Sequence, residues 1–144
     1  MRDLLFLTSL RRGEDWALLG LRLAAGLFLV HGVWDNITSD ERMEEFVRFL
    51  AHHGFFEPGL LARISVWAQF FCGLAFVLGA LVRWAGLVCM FNFAVALAMV
   101  HWQQDLRGWW PALALLGIGA LLATHGAGRL SMDRLFGAEA VTSG

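Results

Sequence analysis

No lysine occurs in these 144 residues, and only 16% of them are charged. All eleven basic residues are therefore arginines, spread along the chain, which excludes the concentrated basic patch of a nucleic-acid surface. Charge is also too sparse for an ordinary soluble domain, in which about a quarter of residues carry one. Only two cysteines are present, Cys72 and Cys89, and no Cys-x-x-Cys, so thiol–disulfide chemistry by this chain alone is unsupported. A cleavable leader is not expected either: the first apolar segment begins near Trp16 and three more of similar length follow it.

What the chain has in excess is apolar length. Hydrophobic residues make up 58% of it and mean hydropathy is +0.62. Four segments, about 16–34, 60–82, 84–102 and 109–125, approach or reach the roughly 20 helical residues that span a hydrocarbon core. Tryptophans stand at both ends of the first and third and at the start of the fourth, where indoles favour the water–lipid boundary. No polar stripe runs through stretches such as 113–122, as a soluble bundle would require. The expected fold is an all-α membrane protein: one domain over 1–144, a four-transmembrane-helix bundle in contact with the lipid bilayer.

The long connection 35–59 carries its own signal. Thr38 followed by Glu41 fits a capping box, and Met43, Phe46, Val47 and Leu50 recur at helical spacing among acids. Gly54 can end that helix and Pro58 prevents its continuation. A short amphipathic helix over about 39–53 is expected, lying on the outer face of the bundle or in the lipid interface. With four spans, both termini share a side with a turn at Arg83. That side carries Arg2, Arg11, Arg12, Arg83, Arg129 and Arg134, against Arg42, Arg48, Arg63 and Arg107 on the other, which favours cytoplasmic termini.

Small residues four apart, Gly20 and Ala24, Ala75 and Gly79, Ala94 and Ala98, predict close helix packing, either between spans or against another copy of the chain. Measured from Arg83, Cys72 and Cys89 differ in depth by roughly 7 Å at about 1.5 Å per residue. Lateral helix spacing adds to that gap, so no disulfide between them is expected.

Two segment ends echo each other seventy residues apart: Val30-His31-Gly32-Val33-Trp34-Asp35 and Val100-His101-Trp102-Gln103-Gln104-Asp105. Residues four apart share a helix face, so each histidine is expected to sit beside its aspartate at one depth near the outer boundary. If both faces point inward, two imidazoles and two carboxylates converge at the outer mouth. Such a cluster suits a quinone head, whose two-electron chemistry needs managed protons. It also fits a transition metal such as zinc or, less specifically, haem between His31 and His101. In the plainest alternative each aspartate only orients its own histidine at a wet helix end. Arg22 lies about six residues inside the first span on the other side of the helix, where it either snorkels toward the cytoplasm or pairs with a polar group or ligand. Gln69 and Asn92 lie deeper; each is expected to bond to another helix and is also placed to touch a ligand. Asn92 stands seventy residues after Arg22, which raises the possibility of two related hairpins. His125, with Gly126 and Gly128, reads as a helix end and turn, with Arg129 and Arg134 placed to meet lipid phosphates.

Arg22-Leu23, Gly26-Leu27-Phe28 and His31-Gly32, the loop end Gly54-Phe55-Phe56-Glu57-Pro58, Gly73 with Leu78-Gly79 and Arg83, and the closing Gly126-Ala127-Gly128-Arg129-Leu130-Ser131-Met132-Asp133 together resemble the DoxX family of small bacterial membrane proteins. The resemblance runs from about residue 16 to 136. It implies a four-helix bundle in the bacterial inner membrane. It also implies an association with quinone-linked oxidoreductases, as a subunit or an accessory to redox-protein partners. Two departures stand out: Val33-Trp34-Asp35-Asn36 replaces the stretch where the family usually has a lysine, and Gln69 stands where many members have a glutamate. The sequence thus favours a quinone-interacting or accessory subunit, with His31, Asp35, His101, Asp105, Arg22, Gln69 and Asn92 as its candidate site. The alternative is a non-enzymatic membrane scaffold or chaperone-like partner.

Overall fold

The structure, a computed structural model, describes residues 8–101 and 104–137. A 3₁₀ turn (Thr8–Gly13) leads into α1 (Glu14–Thr38), followed by α2 (Asp40–His52), α3 (Pro58–Leu78) and α4 (Val82–Ala96). A π turn (Leu97–His101) prolongs α4, and α5 (Leu106–His125) and the short α6 (Met132–Leu135) complete the described fold. Four helical stretches are long and apolar enough to cross a membrane: Ser9–Thr38, Pro58–Leu78, Val82–Val100 and Leu106–His125. Within each, only 22–33% of its 18-residue apolar window is buried inside the bundle. Side chains such as Phe28, Phe71, Leu87, Phe91 and Leu121 consequently point outward, an arrangement stable in lipid and costly in water.

Helix boundaries follow local capping. The Ser39 hydroxyl accepts from the Arg42 amide at 3.4 Å and caps α2, whereas the Thr38 hydroxyl turns back to the Trp34 carbonyl. The cap is therefore one residue later than the expected Thr38. Helix α2 turns Met43, Phe46, Val47 and Leu50 toward the bundle, as its periodicity predicts, and leaves Asp40, Glu41 and Glu44 exposed. Pro58 occupies the first turn of α3, where its missing N–H removes nothing. The α3–α4 turn falls at 79–81, not at Arg83, because Gly79 takes φ 70° and ends α3 in the left-handed region. Arg83 instead belongs to the first turn of α4 and donates to the carbonyls of Ala123, Thr124 and His125 at 3.2, 2.6 and 3.2 Å, satisfying the open C-terminal end of α5.

The spans pack as two pairs, α1 on α3 and α4 on α5, joined through α3 and α4, with α2 lying across α1 and α3. Each pair has glycine at its closest approach. A Cβ on Gly26 would meet the Gly73 carbonyl oxygen at 2.7 Å, and one on Gly86 would meet the Gly119 carbonyl oxygen at 2.7 Å. Of the small-residue pairs singled out by spacing, Gly20 and Ala24, and Ala94 and Ala98, are exposed, whereas Gly79 is buried and Ala75 packs against the core. Leu29, Phe76, Val82, Cys89 and Leu122 fill the core between the pairs. Cys72 and Cys89 are free, buried thiols, placed against the carbonyls of Ala85 and Leu115 respectively.

Candidate functional site

Polar chemistry is concentrated at three levels. At the end that holds the termini, α1 carries Arg22 on its buried stripe with Leu18, Ala25, Leu29 and Val33. Arg22 is 1% exposed, so it does not snorkel to solvent. Its Nη2 donates to the Leu130 carbonyl at 2.5 Å. Gly79 lies against the guanidinium: a Cβ there would collide with Arg22 Nη1 and come within 2.8 Å of Ser131 Cβ. The closing segment is tied to the same turn. The Asp133 carboxylate accepts from the Leu81 and Val82 amides at 2.6 and 3.0 Å, and the Asp133 amide donates to the Gly79 carbonyl at 2.8 Å. Asp15 at the start of α1 accepts from the Arg129 amide at 3.0 Å, and Glu14 faces His125 at 3.5 Å. Chain segments 14–22, 79–83 and 125–133 thus form one hydrogen-bonded unit. Spacing alone did not mark Gly79 or Leu130 as neighbours of Arg22, nor Asp133 as the acceptor of the α4 amides; the closing motif was the available signal.

At mid-depth the amides join helices. Gln69 Nε2 donates to the Leu29 carbonyl on α1 at 3.3 Å, and Ser65 Oγ donates to Asn92 Oδ1 on α4 at 2.9 Å. Ser65 and Gln69 are one turn apart on α3, so this helix reaches both neighbours from adjacent positions. Arg22 and Asn92, seventy residues apart, have different partners and share no local role.

At the loop end the expected convergence does not form among the described residues. His31 and Asp35 do share a face of α1, but both are exposed on the side opposite Leu29 and Val33. Asp105 does not extend the helix of His101. It adopts an extended backbone and its carboxylate caps α5, accepting from the Gly108 amide at 3.1 Å. An aspartate just before a helix satisfies amides that have no partner of their own. His101 closes the π turn; its side chain and the residues Trp102 and Gln103 lie outside the described ones. No group of three or more His, Cys, Asp or Glu side chains gathers among the described residues. What the loop end does hold is an open groove of about 350 Å³, walled by Asn36 from α1, Asp40, Met43 and Glu44 from α2, and Arg63 and Trp67 from α3. Spacings of four, Asp40 to Glu44 and Arg63 to Trp67, place each pair on one helix face and were the sequence signal for it.

A family model, DoxX, matches residues 17–102, more than half of the chain. The chain belongs to the DoxX family. The matched range holds Arg22, His31, Asp35, Gln69, Asn92 and His101 and stops short of Asp105, α5 and the closing segment. No curated protein and no solved structure matches the chain. The closing residues of this DoxX protein are nonetheless bound into the fold through Arg22 and Asp133.

Proposed function

We propose that this DoxX protein is an accessory subunit of a membrane redox assembly, meeting quinone and its protein partner on the α1 face that carries His31 and Asp35. The observation that supports this reading is their shared exposure one turn apart near the end of an apolar span. A histidine and a carboxylate at the edge of hydrocarbon are costly without a partner. Side by side they form a donor–acceptor pair able to pass the protons that accompany two-electron reduction of a quinone. Leu29, Phe76, Val82 and Leu122 occupy the bundle interior, so a quinone would be met at the surface, in the lipid layer where it diffuses. Arg11, Arg12, Arg83, Arg129 and Arg134 lie at the termini end, which supports cytoplasmic termini in a bacterial inner membrane.

The test is quinone bound to the full chain in lipid nanodiscs. Binding that falls on His31→Ala and on Asp35→Ala supports the reading; absence of quinone binding by the wild-type chain overturns it. A second reading, a non-enzymatic membrane scaffold, is favoured by the capping role of Asp105, which removes one of the four groups from any ligand set. A partner protein that co-purifies equally with wild type and both variants would favour the scaffold.

A further inference from the structure

The groove at the loop end is a mixed-charge site that the redox reading does not use. Its walls present Asp40 and Glu44 from α2 and Arg63 from α3. Among the described residues Arg63 forms no ion pair with either acid; its Nη1 donates only to the Gly59 carbonyl one turn back, at 3.2 Å. Opposite charges that face one cavity without neutralising each other suit a ligand that carries both signs. The surroundings place that ligand at the membrane surface. Trp34 and Trp67 are 50% and 44% exposed at this level, the position indoles favour at the headgroup boundary. Below the groove, Phe71, Leu74 and Leu78 continue from Trp67 along the outside of α3, all exposed, and Leu60 and Ile64 lie on the same stripe. Spacings of three and four make that stripe a continuous apolar track down the helix.

We infer that the groove binds the headgroup of a zwitterionic phospholipid, with Arg63 taking the phosphate, Asp40 and Glu44 the ammonium, and the α3 track the acyl chains. Arginine offers a planar fork matched to phosphate oxygens. The Trp67 ring adds a face over which an ammonium is attracted. An anionic lipid such as phosphatidylglycerol would meet Arg63 equally well but would bring no cation to the two acids. The groove should therefore prefer phosphatidylethanolamine.

Native mass spectrometry of the full chain, with palmitoyl-oleoyl phosphatidylethanolamine or phosphatidylglycerol added to the detergent solution, tests this. The wild type should retain the ethanolamine lipid preferentially. Arg63→Ala should weaken both lipids by about tenfold, the scale of one charge-assisted hydrogen bond. The double variant Asp40→Asn/Glu44→Gln should lose the ethanolamine preference and gain phosphatidylglycerol, a reversal that a damaged fold cannot produce. Equal retention of the two lipids by wild type, or an unchanged preference in the double variant, would overturn the assignment. Glycerophosphoethanolamine, which has the headgroup without acyl chains, should not displace the lipid at millimolar concentration; if it does, the groove serves a soluble zwitterion and the lipid assignment fails.

Discussion

Gly26 and Gly73 meet backbone to backbone across the α1–α3 contact: a Cβ on Gly26 would stand 2.7 Å from the Gly73 carbonyl oxygen, and one on Gly73 would stand 2.8 Å from that of Gly26. Neither neighbour can yield, because both contacts are to main chain inside helices. Gly26→Ala should therefore force α1 and α3 apart and cost about 2–3 kcal/mol, the upper range for an overpacked methyl. Gly20→Ala, with nothing within 4 Å of its Cβ position, should leave stability unchanged or raise it slightly through better helix propensity. Unfolding by sodium dodecyl sulfate titration in mixed micelles, followed by tryptophan fluorescence, measures both. A Gly26→Ala protein as stable as Gly20→Ala would refute this packing.

The role of Asp105 separates a cap from a ligand. If its carboxylate serves only the Gly108 amide, Asp105→Ala should lower stability by about 1 kcal/mol, as removal of an N-cap does. Quinone binding, where present, should persist. Asp105→Ser retains a capping oxygen and should restore most of the stability. Loss of quinone binding in the serine variant, with stability intact, would return Asp105 to the ligand set.

Span number and the loop helix were legible because each rests on local chemistry, apolar length and periodicity between caps; the α3–α4 turn was expected a few residues late, at Arg83, because the left-handed conformation of Gly79 is not written in its spacing. The functional cluster was less legible because it required knowing which way a helix end faces and where a helix stops. His31 and Asp35 satisfy the one-turn spacing, yet that spacing is equally compatible with an outward face. Between His101 and Asp105 the same spacing spans a helix boundary, because Asp105 stands at the N-cap of α5 and not in the helix that holds His101. Gly20–Ala24 and Gly26 illustrate the same gap in packing. A four-residue rhythm identified the exposed pair, whereas the contact is made by single glycines paired across sequence distances of 47 residues in one helix pair and 33 in the other, as Gly26–Gly73 and Gly86–Gly119 show.

Asp133 provides the link from the closing segment to the α3–α4 turn. Its two oxygens take the Leu81 and Val82 amides, which open α4 and have no acceptor within the helix. Asp133→Asn keeps the shape but leaves one oxygen and no charge at the positive end of α4, so a loss of about 2 kcal/mol is expected. The same variant should expose the closing segment to proteolysis near Arg129 and Arg134. Trypsin digestion in detergent reads this directly, and protection equal to wild type would show that the segment is held by other contacts.

Arg22 and Gly79 should be coupled, because the guanidinium occupies the space that a side chain at residue 79 would need. Gly79→Ala alone should be severely destabilising, since alanine is strained at φ 70° and its methyl would drive into Arg22 and Ser131. Arg22→Met removes the fork while keeping an unbranched apolar stem, and it strips the Leu130 carbonyl of its donor at a cost of about 1–3 kcal/mol. In the Arg22→Met background the collision at residue 79 is relieved, while the backbone strain and the Ser131 contact remain. The double variant should therefore be more stable than the sum of the single losses by at least about 1 kcal/mol, the scale of coupling between residues in contact. A double-mutant cycle in mixed micelles gives that difference. Strict additivity would mean that Arg22 leaves the notch when Gly79 changes, and that the buried arginine is held by the closing segment rather than by the shape of the α3–α4 turn.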